Sequence, residues 1–243
     1  IRFGRVTAPR NQTGSGGHSL SSSEAPPGDL PASLRHGDIG SACVHLCCDM
    51  QRLFAENTDW HTPWMSRVLP LARRIAEAHP ERTIFTRFIP AFRAGEGSGT
   101  WKRYYERWAS MTIERLGREM VELVPELAAL VPPAQVVDKR VYSPWVDSGL
   151  QSRIEALGAD TIIVSGSETD VCVLATVLGA VDRGYRVIVA NDAICSSADE
   201  THDASLQLYN GRYGQQVETA STDEILANWK FERDHAGRNV RSA

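Results

Sequence analysis

Three residues in this chain combine into usable chemistry: Cys172, Asp49 and Lys139. Cys172 stands at the start of a helical pattern, after an apolar run and a glycine, in Ser165-Gly166-Ser167-Glu168-Thr169-Asp170-Val171-Cys172. A thiol beside a helix N-terminus has its thiolate favoured by the dipole and by free backbone N–H groups. The same amides can receive a developing oxyanion. The competing reading is an inert, buried cysteine on an amphipathic helix. Asp49 ends an apolar run, where a carboxylate is costly unless paired or functional, although a turn aspartate is also common. Lys139 lies in Val136-Val137-Asp138-Lys139-Arg140-Val141-Tyr142. A central parallel strand rarely accepts such a cation without an acidic partner; on an edge it would simply be solvated. Together the acid, cation and thiol can deprotonate a nucleophile, orient it and protonate a leaving amine.

Positioning these groups requires a particular scaffold. Apolar runs over 42–48, 82–88, 136–141, 161–165, 185–190 and 216–220 read as strands. Apolar residues at helical spacing predict helices over 64–78, 146–157, 170–183, 199–209 and 222–229. Strands alternating with helices imply βαβ units, hence an α/β fold with a parallel sheet covered on both faces. In such sheets ligands bind beyond the carboxyl ends of the strands, which draws together the ends of the first, third and fourth. The long connection after the second strand carries Gly95, Gly97, Gly99, Trp101, Tyr104, Tyr105 and Trp108. Its length predicts a lid or a binding wall. Residues 1–38, rich in Gly, Ser and Pro, read as a flexible N-terminal arm. Residues 39–231 form the expected catalytic domain and 232–243 a tail.

Composition narrows the partners. Hydrophobic residues make up 42% and the net charge is -4, so a packed core is expected and neither nucleic acid nor an anionic membrane is. The apolar stretches are too short or too interrupted to span a bilayer. No Lys/Arg-led apolar segment opens the chain, which argues against a secretory signal, although the first residue is Ile1 rather than Met. The five cysteines show no C-x-x-C spacing, which fits a reducing, cytoplasmic setting. Cys47 and Cys48 should face opposite sides of a strand, and His45 reads as a satisfied core residue.

The segments Cys48-Asp49-Met50-Gln51, Lys139-Arg140-Val141-Tyr142-Ser143 and Gly166-Ser167-Glu168-Thr169-Asp170-Val171-Cys172 resemble the three signature regions of the isochorismatase-like cysteine hydrolases. That superfamily includes nicotinamidases and N-carbamoylsarcosine amidohydrolase, and the likeness runs from about residue 42 to 229. It implies a three-layer αβα, Rossmann-like fold with a six-stranded parallel sheet of order 3-2-1-4-5-6. It also implies an Asp49-Lys139-Cys172 triad, in which Asp49 takes the thiol proton. A non-proline cis peptide is implied at Ser167-Glu168, aiming the N–H groups of Glu168 and Cys172 at the oxyanion.

The implied activity is hydrolysis of a C–N bond in a small amide or ureido compound through a thioester. A vinyl-ether hydrolase or a binding protein that kept the fold are the alternatives; Cys172 and the complete triad weigh against them. No cofactor is expected, and no metal, because Arg87-Phe88-Ile89-Pro90 lacks the ligands that nicotinamidases carry there. Asp59-Trp60-His61 spells an Asp-x-His motif, but after the first strand. Substrate contacts are expected from Gln51, Phe54, Arg87, Trp101, Tyr142 and Trp145, within a homo-oligomer (dimer or tetramer). Arg87, helped by Arg93, suits bidentate capture of a carboxylate, which tips the expected substrate toward an acidic or neutral amide. Glu168, charged where the family is usually small or apolar, argues the other way.

Overall fold

The structure, a computed structural model, describes residues 33–230. All six residues of β1 (Cys43–Cys48) are buried. Cys43 and Cys47 enter one core; Val44, Leu46 and Cys48 enter the other. A strand covered on both faces has no polar side to show, and this is why the run lacks alternation. His45 shares the first face, with Nε2 2.7 Å from Ser165 Oγ, and burial pulls its pKa down to about 3.

β2 (Thr83–Phe88), β3 (Gln135–Lys139), β4 (Thr161–Ser167), β5 (Arg186–Cys195) and β6 (Val217–Ala220) complete one sheet. Its order is β3-β2-β1-β4-β5-β6 and every pairing is parallel. β1 and β4 therefore lie side by side at the switch point, as expected.

The helices are α1 (Arg52–Ala55), α2 (Met65–Ala78), α3 (Thr100–Arg107), α4 (Ile113–Leu116), α5 (Pro125–Ala128), α6 (Leu150–Ala156), α7 (Leu174–Val181), α8 (Asp199–Gln207) and α9 (Thr222–Asn228). α2 buries Met65, Val68, Ala72, Ile75 and Ala76, an apolar stripe at helical spacing. Each of its larger side chains contributes about 1.5–3 kcal/mol when fully buried. α2 and α9 cover one face of the sheet, α6 and α7 the other. No helix among the described residues is long and apolar enough to cross a membrane.

Three elements depart from expectation. β5 continues to Cys195 because the polar pair Asn191-Asp192 marks an irregularity rather than an end. The β4–β5 register shifts between Val164 and Gly166, and Asp192 Oδ1 accepts from both Thr222 N and Thr222 Oγ1 at 2.8 Å. The helix expected from residue 170 begins as a π-helical turn, Thr169–Val173, before α7. The long connection is not open chain: α3, α4, α5 and two 3₁₀ turns fold it against the sheet edge. Of the expected arm, residues 1–32 lie outside the described residues, as do 231–243 of the tail. The arm's last residues are tied down: Ser33 Oγ donates to Glu224 Oε1 at 2.8 Å, and the His36 amide donates to Glu218 Oε1 at 3.0 Å.

Gly166 fixes the approach of β4 to β1. Its φ is +106°, and a Cβ there would lie 2.1 Å from Cys48 O. Gly166→Ala therefore meets both a backbone clash and a disfavoured φ. We expect it to lower unfolding free energy by more than about 2 kcal/mol, read by urea denaturation. A stability like that of the unmodified protein would contradict this close approach.

Candidate active site

The carboxyl ends of β1, β3 and β4 converge on one buried cluster. Asp49 follows β1 with a left-handed φ of 48°. Its amide donates to Thr86 O at 3.1 Å, and the Thr86 hydroxyl donates to Asp49 Oδ1 at 2.6 Å. The turn thus aims the other oxygen, Oδ2, away from the sheet. Lys139, the last residue of β3, places Nζ 2.7 Å from that Oδ2. The same Nζ lies 3.2 Å from Cys172 Sγ and 3.3 Å from Val141 O. It also sits 5.0 Å from the centre of the Phe88 ring.

β3 turns out to be the edge strand, so Lys139 is not buried by a central position. Phe88 pairs with Lys139 in register on β2, and the lysine's length carries Nζ across β2 to Asp49 on β1. Lys139 and Asp49 side chains are both wholly inaccessible.

Electrostatics sets the resting protonation states. Burial alone would lower the pKa of Lys139, but Asp49 and Cys172 outweigh it and hold the ammonium above its ordinary value. Burial pushes the Cys172 thiol well up; Lys139 pulls it down and Asp49, within hydrogen-bonding reach, pushes it up again. The net direction is upward. Burial thus favours Cys172 as a thiol beside a carboxylate, not the thiolate that a helix terminus suggested. Two features explain the reversal: the π-helical turn replaces a regular helix start, and desolvation dominates the dipole.

Cys172 opens onto a cavity of about 90 Å³ lined by Phe54, Trp60, Phe88, Tyr104, Tyr142, Glu168 and Val171. The rings brace one another: Phe54 on Trp60 at 6.1 Å, Trp60 on Phe88 at 5.9 Å and on Tyr104 at 5.8 Å. Tyr104 and Tyr142 also border a wider cavity of about 680 Å³ with Trp101, Arg103 and Arg107, so the two tyrosines stand between the cavities. A separate cavity of about 290 Å³, between Trp64 and His202, contains none of the three reactive residues. The thiol, not the volume, locates the site.

Ser167-Glu168 is a cis peptide bond, and Glu168 O accepts from Val171 N at 3.1 Å and Val173 N at 3.0 Å. Glu168 is half-buried rather than free in solvent. Its Oε1 accepts from Ser197 N at 3.1 Å, and burial is the main cause raising its carboxyl pKa above the usual value.

Of the expected substrate contacts, Phe54 and Tyr142 border the small cavity and Trp101 the outer one. Three others are placed elsewhere. Gln51 is buried with its amide fully used, donating to Phe88 O and Val121 O and accepting from Phe88 N. Arg87 meets Asp138 in bidentate fashion, at 2.8 and 3.0 Å, and Glu122 at 2.5 Å. Arg93 pairs with Glu114 at 3.3 Å. Trp145 donates to Thr176 O at 2.9 Å and packs over Gly179, where no Cβ would fit. Arg87, expected to bind a substrate carboxylate, is instead paired with two acids of the fold and does not line the cavity at Cys172.

Thr86, Phe88 and Trp60 are the participants that sequence reasoning passed over. Thr86 could have been found from its alignment with Cys48, the residue before Asp49. Trp60 was hidden inside Asp59-Trp60-His61; His61 is exposed and Asp59 accepts from Ser110. Among the described residues, no three His, Cys, Asp or Glu side chains are grouped to hold a metal ion.

The parallel αβα sheet thus brings an acid, a lysine and a cysteine together beyond the carboxyl ends of its strands. The model of the isochorismatase domain matches residues 43–221, and the chain belongs to that family. It is 26% identical over 165 residues to the uncharacterized isochorismatase family protein YwoC of Bacillus subtilis, covering 68% of this chain and 84% of that one. It is 30% identical over 100 residues to nicotinamidase 3 of Arabidopsis thaliana, covering 41% of this chain and 50% of the relative. Maleamate amidohydrolase of Pseudomonas putida is 30% identical over 105 residues, at 41% and 49% coverage. The chain thus spans about half the length of these two amidases.

Among solved structures, a cysteine hydrolase from Pseudomonas syringae superposes with a TM-score of 0.67 at 24% identity, covering 77% of this chain and 92% of that one. N-carbamoylsarcosine amidase from Thermoplasma acidophilum gives 0.59 at 23%, covering 75% and 98%. At these identities the likeness shows the shared fold.

Proposed function

We propose that this chain is a metal-independent amidohydrolase that cleaves a C–N bond through a thioester on Cys172. The observation that carries the reading is the single buried cluster in which Lys139 Nζ touches both Asp49 Oδ2 and Cys172 Sγ. Asp49 takes the thiol proton as Sγ attacks the substrate carbonyl, and Lys139 holds carboxylate and sulfur in place. The oxyanion forms against the backbone N–H groups of Glu168 and Cys172. Collapse breaks the C–N bond; Asp49 returns the proton to the leaving nitrogen, and a thioester remains. Water, deprotonated by Asp49, then attacks it and releases the acid, restoring thiol and carboxylate. Dividing one hard hydrolysis into two steps is the general advantage of a covalent nucleophile.

The test is a mass measurement after rapid quenching with a panel of small amides, with and without a chelator. An acyl adduct on Cys172 is expected, at the same rate in both arms. Product formation without an adduct at any time, or turnover abolished by chelator and restored by a divalent ion, would overturn this scheme.

A further inference from the structure

The charges around the thiol have an unequal balance. Asp49 and Lys139 pair with each other, so their charges cancel as seen from the cavity. Among the described residues, the one other charged residue lining it is Glu168. One oxygen of its carboxylate, Oε1, accepts from Ser197 N at 3.1 Å.

Among the described residues, no Lys or Arg lines the cavity to oppose it. Arg87 is bound by Asp138 and Glu122, and Arg93 by Glu114. Arg103 and Arg107 are exposed and border the outer cavity, beyond Tyr104 and Tyr142. The rest of the inner wall is aromatic: Phe54, Trp60, Phe88, Tyr104 and Tyr142.

Aromatic faces with one carboxylate recognise a particular ligand type. A ring presents negative potential on its face and attracts a cation within about 6 Å. The carboxylate adds a charge-assisted hydrogen bond to an N–H donor. An anionic substrate would meet repulsion with no compensating guanidinium.

We propose that Glu168 is a specificity-determining residue and that the site takes a small amide carrying a positively charged nitrogen close to the scissile carbonyl. This rests on the amidohydrolase reading, which it deepens by naming the substrate class. The cavity beside Cys172, about 90 Å³, is much smaller than the outer one of about 680 Å³. A substituent longer than a few atoms would extend past the two tyrosines toward the outer cavity. Burial and the nearby acids Asp170 and Asp49 make Glu168 hold its proton more tightly, and a bound cation reverses that preference.

Glycinamide, propionamide and malonamate form a nearly isosteric set that is cationic, neutral and anionic at neutral pH. With the unmodified protein, kcat/KM should favour glycinamide over propionamide by about tenfold, and malonamate should be the poorest. In Glu168→Gln the ratio of glycinamide to propionamide should fall toward one. Glu168→Asp, which restores the charge at shorter reach, should recover part of it.

Binding of the same three compounds to Cys172→Ala, measured by calorimetry, separates this inference from the reaction itself. Preferential binding of glycinamide that Glu168→Gln abolishes supports the inference even if none of the amides is turned over. That combination would sink the proposed reaction alone. Equal binding of the three, tighter malonamate binding, or no measurable glycinamide binding would overturn the role of Glu168.

Discussion

Cys172→Ala is expected to lose turnover by at least roughly 10,000-fold, the scale seen when a covalent nucleophile is removed. The fold should persist, because only Sγ is deleted and the Lys139–Asp49 pair survives. Thermal unfolding followed by circular dichroism, beside initial rates, checks both halves. Cys172→Ser should be nearly as inactive. A hydroxyl is far harder to deprotonate than a thiol, and Asp49, already paired, is a poor base for it. An alanine variant that retained a tenth of the rate would show that the thiol is not the nucleophile. Cys43, Cys47, Cys48 and Cys195 offer no substitute: each is buried and none lines the cavity onto which Cys172 opens.

Lys139→Met should have the largest effect on stability. It leaves Asp49 in a wholly buried place with no counter-charge, and breaking a buried pair from one side costs about 3–5 kcal/mol. Thr86 would still donate to Oδ1, which sets the expected loss nearer the lower figure. Activity should vanish as well, since nothing then holds carboxylate and sulfur together. The double variant Lys139→Met with Asp49→Asn removes both charges. It should regain part of the stability and none of the activity. Chemical denaturation of the three proteins decides: a single variant as stable as the double would mean that Asp49 does not depend on Lys139.

The sheet was legible because a parallel strand buried on both faces leaves an uninterrupted apolar run, and β1 and β4 each end in a chemically distinct residue. Their neighbourhood at the switch point followed from the family resemblance, not from the runs themselves. Asp49, Lys139 and Cys172 stood out as charge or nucleophile at strand ends. What stayed hidden was where side chains point. Arg87 and Lys139 both lie near the sheet edge, and only the register shows that Lys139 reaches inward while Arg87 meets Asp138 and Glu122. The aromatic wall was only half visible. Trp60, Phe88 and Tyr104 come from three separate stretches, and no spacing rule joins them. Nor does any sequence pattern reveal that desolvation outweighs a helix terminus at Cys172.

That last feature has a bearing on chemical durability. Peroxide and other mild oxidants attack thiolates, and the ladder to sulfenic and sulfinic acid starts from that form. A nucleophile that stays protonated until a substrate carbonyl stands before it presents little of the vulnerable species between turnovers. On the proposed function, the protein would give up the fast, indiscriminate reactivity of an exposed low-pKa cysteine, and slower oxidation of Cys172 between turnovers is the expected return.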